Sequence, residues 1–485
     1  MRVVADSEKN ADTAEFLDIA RRTLEICDRY GVRMIINDSV EVAAALPERV
    51  GLHVGQEDMK LAHARAALGP REIGVSVKTA AQAREAVSGG ADYVGIGPCW
   101  ETASKAGISA KDALMLEGTR DIVAALAGER YVPCVLIGGI NKNTALRTLR
   151  GASSAARRPD GIAVISAIVS RTDPGMAATE LRQIVDAFHA PEPALQPLAI
   201  SMTEVFDLVS AHYHSGVPPL VQTITSHVSS HFSANVALSF AASPIMSHES
   251  EEAEELSNAI SALVLNIGTV TGDVCRGMLA TGRAANARGT PILLDPVGVG
   301  ASRFRYAVVQ GILNSVQVSL IKGNAAELST IIGSHEVQSQ GVDSVGQLAH
   351  PEDIVRRVAL QEGAIAVLTG ATDYVSNGEV VYTLHAGSPL LGQITASGCA
   401  LGVVIAAAMA SALRQSGERL GDAAMQRLSP PRHSRALFRG AISGLVAYNR
   451  AAEVAARGAA GPGTFIPRFL DALAHFDAWR GEYAN

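Results

Sequence analysis

The chain has 485 residues, 48% hydrophobic and only 18% charged, with 41 basic against 48 acidic side chains and a net charge of −7. This balance excludes a disordered chain, and no Lys/Arg cluster of the kind that neutralises a phosphate backbone is present, which argues against a nucleic-acid partner. At roughly 150 residues per domain the length predicts two or three domains, each able to bury a core. The five cysteines (Cys27, Cys99, Cys134, Cys275 and Cys399) are odd in number, widely spaced and without a C-x-x-C pair. They fit neither a disulfide framework nor a thiolate zinc site, and predict a reducing, cytoplasmic setting. The opening "MRVVADSEKNADTAEF" lacks the apolar stretch of a signal peptide.

From the start to about residue 187, short β-type runs alternate with amphipathic segments: "RVVA" (2–5), "VRMII" (32–36), "GLHV" (51–54), "EIGVSV" (72–77), "YVGIG" (93–97), "PCVLI" (133–137) and "GIAVI" (161–165). The first helical segment carries a start signal at Asp12 with Glu15 three residues on, and a stop at Gly31. Serial βα units predict a parallel sheet, here with seven strands, one short of a closed eightfold barrel. Polar residues follow the runs: Asn37 and Asp38, "GQED", Ser76 near the end of its strand, "TASK" (102–105), Gly138-Gly139 and Ser166. Turn formation accounts for any one of them, but six at the same strand ends predict the catalytic face of a βα barrel.

The proline-rich segment 191–201 reads as a linker between a barrel over 1–190 and a second domain over 202–485. Runs at 262–268, 291–298, 317–324, 364–370 and 379–384, set among Ala-rich helices, predict an open, mostly parallel α/β sheet. Residues 399–413 are apolar but shorter than the ~20 residues of a membrane span, and read as a buried helix. In "TASGC" a Gly/Ser turn enters that helix, so its backbone N–H groups can hold an anion and favour a thiolate at Cys399. A proton acceptor beside an anion-binding turn is what phosphoryl transfer to an alcohol uses. A small buried residue at a helix start is the plain alternative.

The motifs "SANVALSFAASPIMS", "LVLNIGTVTGD", "PILLDPVGVGASRFR", "IKGNAAEL", "VLTGATDYV", "ITASGCALG" and "GPGTF" occur in an order that resembles hydroxyethylthiazole kinase, of the ribokinase-like superfamily, over 202–485. The resemblance implies a thiazole alcohol bound near Met246 and Ala396, ATP contacts at Lys322 and Thr369, and a catalytic base at Cys399. Asp295 and Glu327 are candidates for Mg²⁺ or its water shell, or for strand-end turns and helix capping. Ser226 stands where the family carries Asn.

Over the first half, "INDSVEVA", "LHVGQEDM", "VGIGPCWETASK", "VLIGGI" and "GIAVISAI" resemble thiamine-phosphate synthase, which fungi join to the kinase in one chain. The resemblance implies a (β/α)8 TIM barrel with Mg²⁺ at Asp38 and Asp58. Lys9, Asn37, Ser76 and Lys105 would bind the pyrimidine diphosphate, and Thr102, Ala103, Ser104, Gly139, Ile165 and Ser166 the thiazole phosphate. The first strand and helix of that pattern are not found ahead of "RVVADSEKN", and Ala5 and Ser7 replace the Gln and Arg of its Q-x-R-x-K motif. Loss of an Arg clamp predicts a weakened synthase half. Alternatives are a barrel serving only for binding or oligomerisation beside an active kinase, and a kinase for another small alcohol. The expected partners are small molecules within a trimer-based homo-oligomer, with no membrane. His212 and His214 read as surface histidines, Cys27 as core, and "ESEEAEEL" (249–256) as a solvated helical turn.

Overall fold

The computed structural model describes residues 12–102, 112–128, 130–190, 199–334, 350–422, 426 and 429–476, together with the backbone of 2–5, 338–340 and 343–345. It divides into two compact units, Met1–Ala190 and Pro191–Asn485.

The first unit is a seven-stranded parallel sheet in strict chain order: β1 (Arg2–Ala5), β2 (Arg33–Asn37), β3 (Gly51–Val54), β4 (Ile73–Val77), β5 (Tyr93–Ile96), β6 (Cys134–Ile137) and β7 (Gly161–Ala163). Short Val/Ile/Leu runs form these strands because helices bury them: Leu52, Ile73, Val77, Val94, Ile96 and Leu136 are solvent-free. The connecting helices start where a short polar side chain caps them. Asp12 accepts from Glu15 N at 2.9 Å to open Thr13–Arg29, Ser39 caps Val40–Ala44 and Thr79 caps Ala80–Ser88. The ladder ends at β1 and β7, with no pairing between them among the described residues. The seven predicted strands are therefore present as a parallel half-barrel.

The second unit carries an eight-stranded sheet of order β17-β16-β15-β12-β11-β10-β8-β9. Its strands are β8 (Leu220–Ile224), β9 (Ser243–Ile245), β10 (Ala262–Asn266), β11 (Ile292–Asp295), β12 (Leu320–Gly323), β15 (Ile365–Leu368), β16 (Asp373–Ser376) and β17 (Val381–Leu384). β13 (Gln338–Gln340) and β14 (Asp343–Val345) make a separate hairpin. All sheet pairings are parallel except β15–β16 and β16–β17. The apolar stretch is a helix, Ser397–Ser416, long and apolar enough to cross a membrane by length and composition, but mostly buried within this unit. It packs on the helix Arg435–Ala456, where Gly440 and Gly444 face Met409 and Ile405 so closely that a Cβ would lie 2.6–2.7 Å from their Cα atoms. Two glycines one turn apart thus let the backbones touch.

His212 departs from the expectation of a surface histidine. It is 2% exposed, its Nδ1 lies 2.8 Å from Ser411 Oγ, its Nε2 bonds the Phe240 carbonyl, and its ring stacks on Phe240. The helix Met202–Tyr213 presents it inward at the spacing of Val205, Leu208 and Val209. His214 is exposed and Cys27 buried.

Candidate active sites

Four neighbouring parallel strands of the second unit end in polar residues. Asn266 closes β10, Asp295 closes β11, Lys322 lies at the end of β12 and Thr369 follows β15. Lys322 Nζ is 3.1 Å from Asp295 Oδ1, with the two side chains 4% and 1% exposed. Asn266 Nδ2 donates to Asp295 Oδ2 at 2.8 Å, and its Oδ1 accepts from Gly268 N at 2.9 Å. Thr369 N donates to the Gly323 carbonyl at 3.0 Å, which ties it to the residue after Lys322. Burial works against the Lys322 ammonium, yet Asp295, Glu327 and Cys399 outweigh it and its pKa rises.

Cys399 joins this group from the helix Ser397–Ser416. A Cβ built on Gly398 would sit 3.8 Å from Lys322 Nζ, so the helix start lies against the ammonium. Side-chain hydrogen bonding with Asn266 and Ser229 counts among the influences that lower the Cys399 pKa. Its pKa is nevertheless pushed up to about 11, first by burial and then by the Asp295 charge, with Lys322 and the two hydrogen bonds pulling the other way. Against the expected pull of the helix start toward a thiolate, burial beside a carboxylate works in the opposite direction.

Glu327 Oε1 accepts from Gly298 N at 2.9 Å and Oε2 from Asn324 N at 2.8 Å, completing a capping box with Asn324. Burial and Asp295 raise its pKa to about 7. Asp295 faces Lys322 and Asn266, and both Glu327 oxygens accept from backbone N–H groups. Among the described residues no cluster of three or more His, Cys, Asp or Glu could hold a metal. Glu327 caps its helix and Asp295 closes β11.

Met246 follows β9 and lines a cavity of about 120 Å³ with Thr223, Thr225, His227, His248 and Thr269. Thr225 Oγ1 is 2.7 Å from Ser229 Oγ, and Ser226 Oγ is 2.8 Å from it. Ser229 therefore ties Thr225 of the cavity wall to Ser226. Ala396, the N-cap of the Cys399 helix, has φ 67°, in the left-handed region that disfavours a side chain. Asn266, Ser229 and Asp373 were not singled out from the sequence. Asp373 accepts from Gly370 N at 3.0 Å and Asn449 Nδ2 at 2.8 Å, and burial raises its pKa to about 6.

In the first unit the candidates lie at the C-terminal strand ends. Asn37 closes β2, and Asp38, at φ 69°, donates its N–H to the His53 carbonyl at 2.8 Å. Asp58 lies in the turn after β3, its Oδ2 accepting from Gly55 N at 2.6 Å. Ser76 lies on β4 and is bonded through its carbonyl by Gln56 Nε2 at 2.6 Å. Gly139 follows β6 at φ 68°, and a Cβ there would come within 2.6 Å of the Glu101 carbonyl, so this glycine permits the segment leading to Thr102 to pass. Ile165 caps the helix Ser166–Val169, and both it and Ser166 are exposed. Lys9, Ala103, Ser104 and Lys105 lie outside the described residues.

Parallel strand ends that gather a buried lysine, a paired carboxylate and a helix start beside a small cavity define a phosphotransferase for a small molecule, here joined to a second α/β unit with its own strand-end polar face. Residues 214–478 match the Hydroxyethylthiazole kinase family and residues 1–168 match Thiamine monophosphate synthase. A "Probable thiamine biosynthetic bifunctional enzyme" of Schizosaccharomyces pombe is 34% identical over 97% of this chain and 88% of its own length. A "Thiamine biosynthetic bifunctional enzyme" of Saccharomyces cerevisiae is 31% identical over 96% of this chain and 88% of its own. A "Hydroxyethylthiazole kinase" of Rhizobium leguminosarum bv. trifolii is 40% identical over 54% of this chain and 89% of its own. The chain belongs to the family of thiamine biosynthetic bifunctional enzymes, with a hydroxyethylthiazole kinase domain and a thiamine-phosphate synthase domain.

Proposed function

We propose that the kinase domain, residues 202–485, transfers the γ-phosphoryl group of ATP to the alcohol of 4-methyl-5-(2-hydroxyethyl)thiazole. The synthase domain, residues 1–190 beyond the 191–201 linker, then condenses the product with 4-amino-2-methyl-5-(diphosphooxymethyl)pyrimidine to thiamine phosphate and diphosphate. The observation that carries this reading is the convergence of Lys322, Thr369 and Cys399 at one strand edge, with Ser229, which acts on the Cys399 thiol, bonded to Thr225 in the wall of the Met246 cavity. In this reading Met246 and Ala396 hold the thiazole, and Lys322 and Thr369 hold ATP. The alcohol oxygen bonds to the γ-phosphorus as the bond from that phosphorus to the β,γ-bridging oxygen breaks, and its proton passes to Cys399.

With the thiol at about 11, the accepting thiolate is scarce at neutral pH. The kinase kcat is therefore expected to climb about tenfold per pH unit between pH 7 and 9. Cys399→Asp, whose carboxyl is far more acidic than a thiol, is expected to flatten that limb, and Cys399→Ala to lower kcat a hundredfold or more. A flat wild-type profile together with an active Cys399→Ala enzyme removes the base from this sulfur.

In the synthase domain the reading assigns the pyrimidine diphosphate to Lys9, Asn37, Ser76 and Lys105, and the thiazole phosphate to Thr102, Ala103, Ser104, Gly139, Ile165 and Ser166. Asp38 and Asp58 follow neighbouring strands, and two carboxylates completed by substrate oxygens are a donor set that suits Mg²⁺. These two side chains would hold the ion, which when bound neutralises charge on the diphosphate. The substrate C–O bond to diphosphate breaks and the thiazole nitrogen forms the new C–N bond, so no nucleophilic side chain is required. A (β/α)8-type barrel architecture belongs to the same reading. So does a trimer-based assembly in the cytoplasm, for which the exposed Val228 and Leu238 supply apolar surface and the five free cysteines fit a reducing setting. Asp58→Asn is expected to abolish magnesium-dependent diphosphate release while leaving the kinase intact, and unchanged release removes Asp58 from the site.

A further inference from the structure

Three adjacent strands of the first unit carry a relay that the assigned roles leave unused. His53 on β3 pairs in register with Gly74 on β4, and Gly74 with Tyr93 on β5, so the three form one row across the sheet; Ser76 and Gly95 form the next row toward the C-terminal ends. Gly74 has no side chain, and a Cβ there would fall inside the Tyr93 ring. The tyrosine therefore lies across β4 and reaches His53, whose Nδ1 is 2.9 Å from Tyr93 Oη and whose Nε2 is 2.8 Å from Ser76 Oγ. Gly95 leaves room on the other side, where a Cβ would already touch His53 Cε1 at 3.4 Å.

We propose that His53 is a positioning residue for thiamine-phosphate synthesis, fixing the Ser76 hydroxyl so that its proton points at the aminopyrimidine; this rests on the reading that Ser76 contacts that substrate. The imidazole lies between two hydroxyls, where its neutral form serves both. A neutral imidazole has one donor and one acceptor nitrogen, so one flanking hydroxyl donates to the ring and the other accepts from it. The phenol is far more acidic than an aliphatic alcohol and is the better donor. Tyr93 O–H thus donates to Nδ1, and Nε2–H donates to Ser76 Oγ. The serine proton is left to point outward, toward an acceptor such as a pyrimidine ring nitrogen.

The test uses the full bifunctional chain, with kinase activity as the internal reference. His53→Leu keeps the volume and removes the donor; His53→Gln keeps an N–H near the Nε2 position; Tyr93→Phe keeps the ring on Gly74 and removes only its hydroxyl. Synthase kcat is expected to fall roughly tenfold or more in His53→Leu and a few-fold in Tyr93→Phe, with KM for thiazole phosphate little changed. His53→Gln is expected to restore most of the loss. In a Ser76→Ala background neither His53→Leu nor Tyr93→Phe should cost anything further. An undiminished penalty in that background, or a His53→Gln enzyme as poor as His53→Leu, overturns the proposal while leaving Ser76 in the site. Full activity of Ser76→Ala overturns the Ser76 reading itself, and the relay with it.

Discussion

The two sites solve the handling of phosphate in opposite ways. In the kinase domain the charged groups are dry and already paired: Lys322 and Asp295 are almost wholly buried against each other, and Glu327 is locked by two backbone N–H groups. In the synthase domain the described candidates sit at or after strand ends, and Ile165 and Ser166 face solvent. A buried pair keeps its geometry without substrate, at the cost of desolvation; an open face must be completed by the substrate and its ion. The contrast teaches that substitutions in the kinase site register first as stability, and those in the synthase face as affinity.

The sharpest way to break this contrast is to unpair the kinase cluster. Lys322→Met leaves Asp295 buried without its cation and is expected to destabilise the domain by about 3–5 kcal/mol and to reduce kinase activity a thousandfold or more. Adding Asp295→Asn should recover much of the stability and none of the activity. Urea midpoints followed beside both activities separate these effects, and a Lys322→Met protein as stable as the wild type contradicts the dry-pair description.

Acid distinguishes the halves next. His53 has a folded pKa of about 4 against an ordinary value of 6.5, so between these limits the unfolded chain binds a proton that the folded domain refuses. Its contribution is full above pH 6.5 and is lost as pH falls toward 4, roughly 3 kcal/mol in all. In the kinase domain His212, also near 4, acts the same way, but the raised Glu327 and Asp373 act oppositely, because the folded state keeps protons that the unfolded chain has released. The synthase domain should therefore unfold first on acidification from pH 6.5 to 4.5, read as urea midpoints from each residual activity. Parallel loss of both activities would contradict the opposing signs.

A smaller effect is expected where the Met246 cavity leans on a helix. A Cβ on Gly277, in the helix Gly272–Ala287, would collide with the His248 carbonyl, and His248 lines the cavity. Gly277→Ala should cost about 1–3 kcal/mol and raise KM for the thiazole several-fold while leaving KM for ATP unchanged. An unaltered KM for the thiazole would place the substrate elsewhere.

Much of this architecture was legible because its signals are local. The β-type runs of the first half, the Asp12 cap and five strands of the second half (β10, β11, β12, β15 and β17) follow from patterning within a few residues. β8, β9 and β16 escaped because their runs are interrupted by Gln222, Pro244 and Asp373, which a buried sheet tolerates only through distant partners such as Ser247 and Asn449. The site was legible as far as motifs reach. The inward turn of His212, the pairing of Asp295 with Lys322 and the raised thiol of Cys399 depend on residues tens to hundreds of positions away, and on burial, which no short window displays.

Ala396 offers the finest comparison, because it asks whether the rigid site stores strain. At φ 67° an alanine sits where L-residues pay about 1 kcal/mol and glycine pays nothing. Ala396→Gly relieves that cost but also gives the unfolded chain more freedom, so the net gain should be a fraction of 1 kcal/mol, with a rise in Tm of about 1–2 °C. The backbone N–H groups of the Cys399 turn keep their direction in either case, so KM for ATP should not move. If instead the glycine variant is less stable or binds ATP more weakly, the methyl group of Ala396 is making a packing contact that outweighs its backbone strain, and the turn is held by its side chain rather than by the helix it opens.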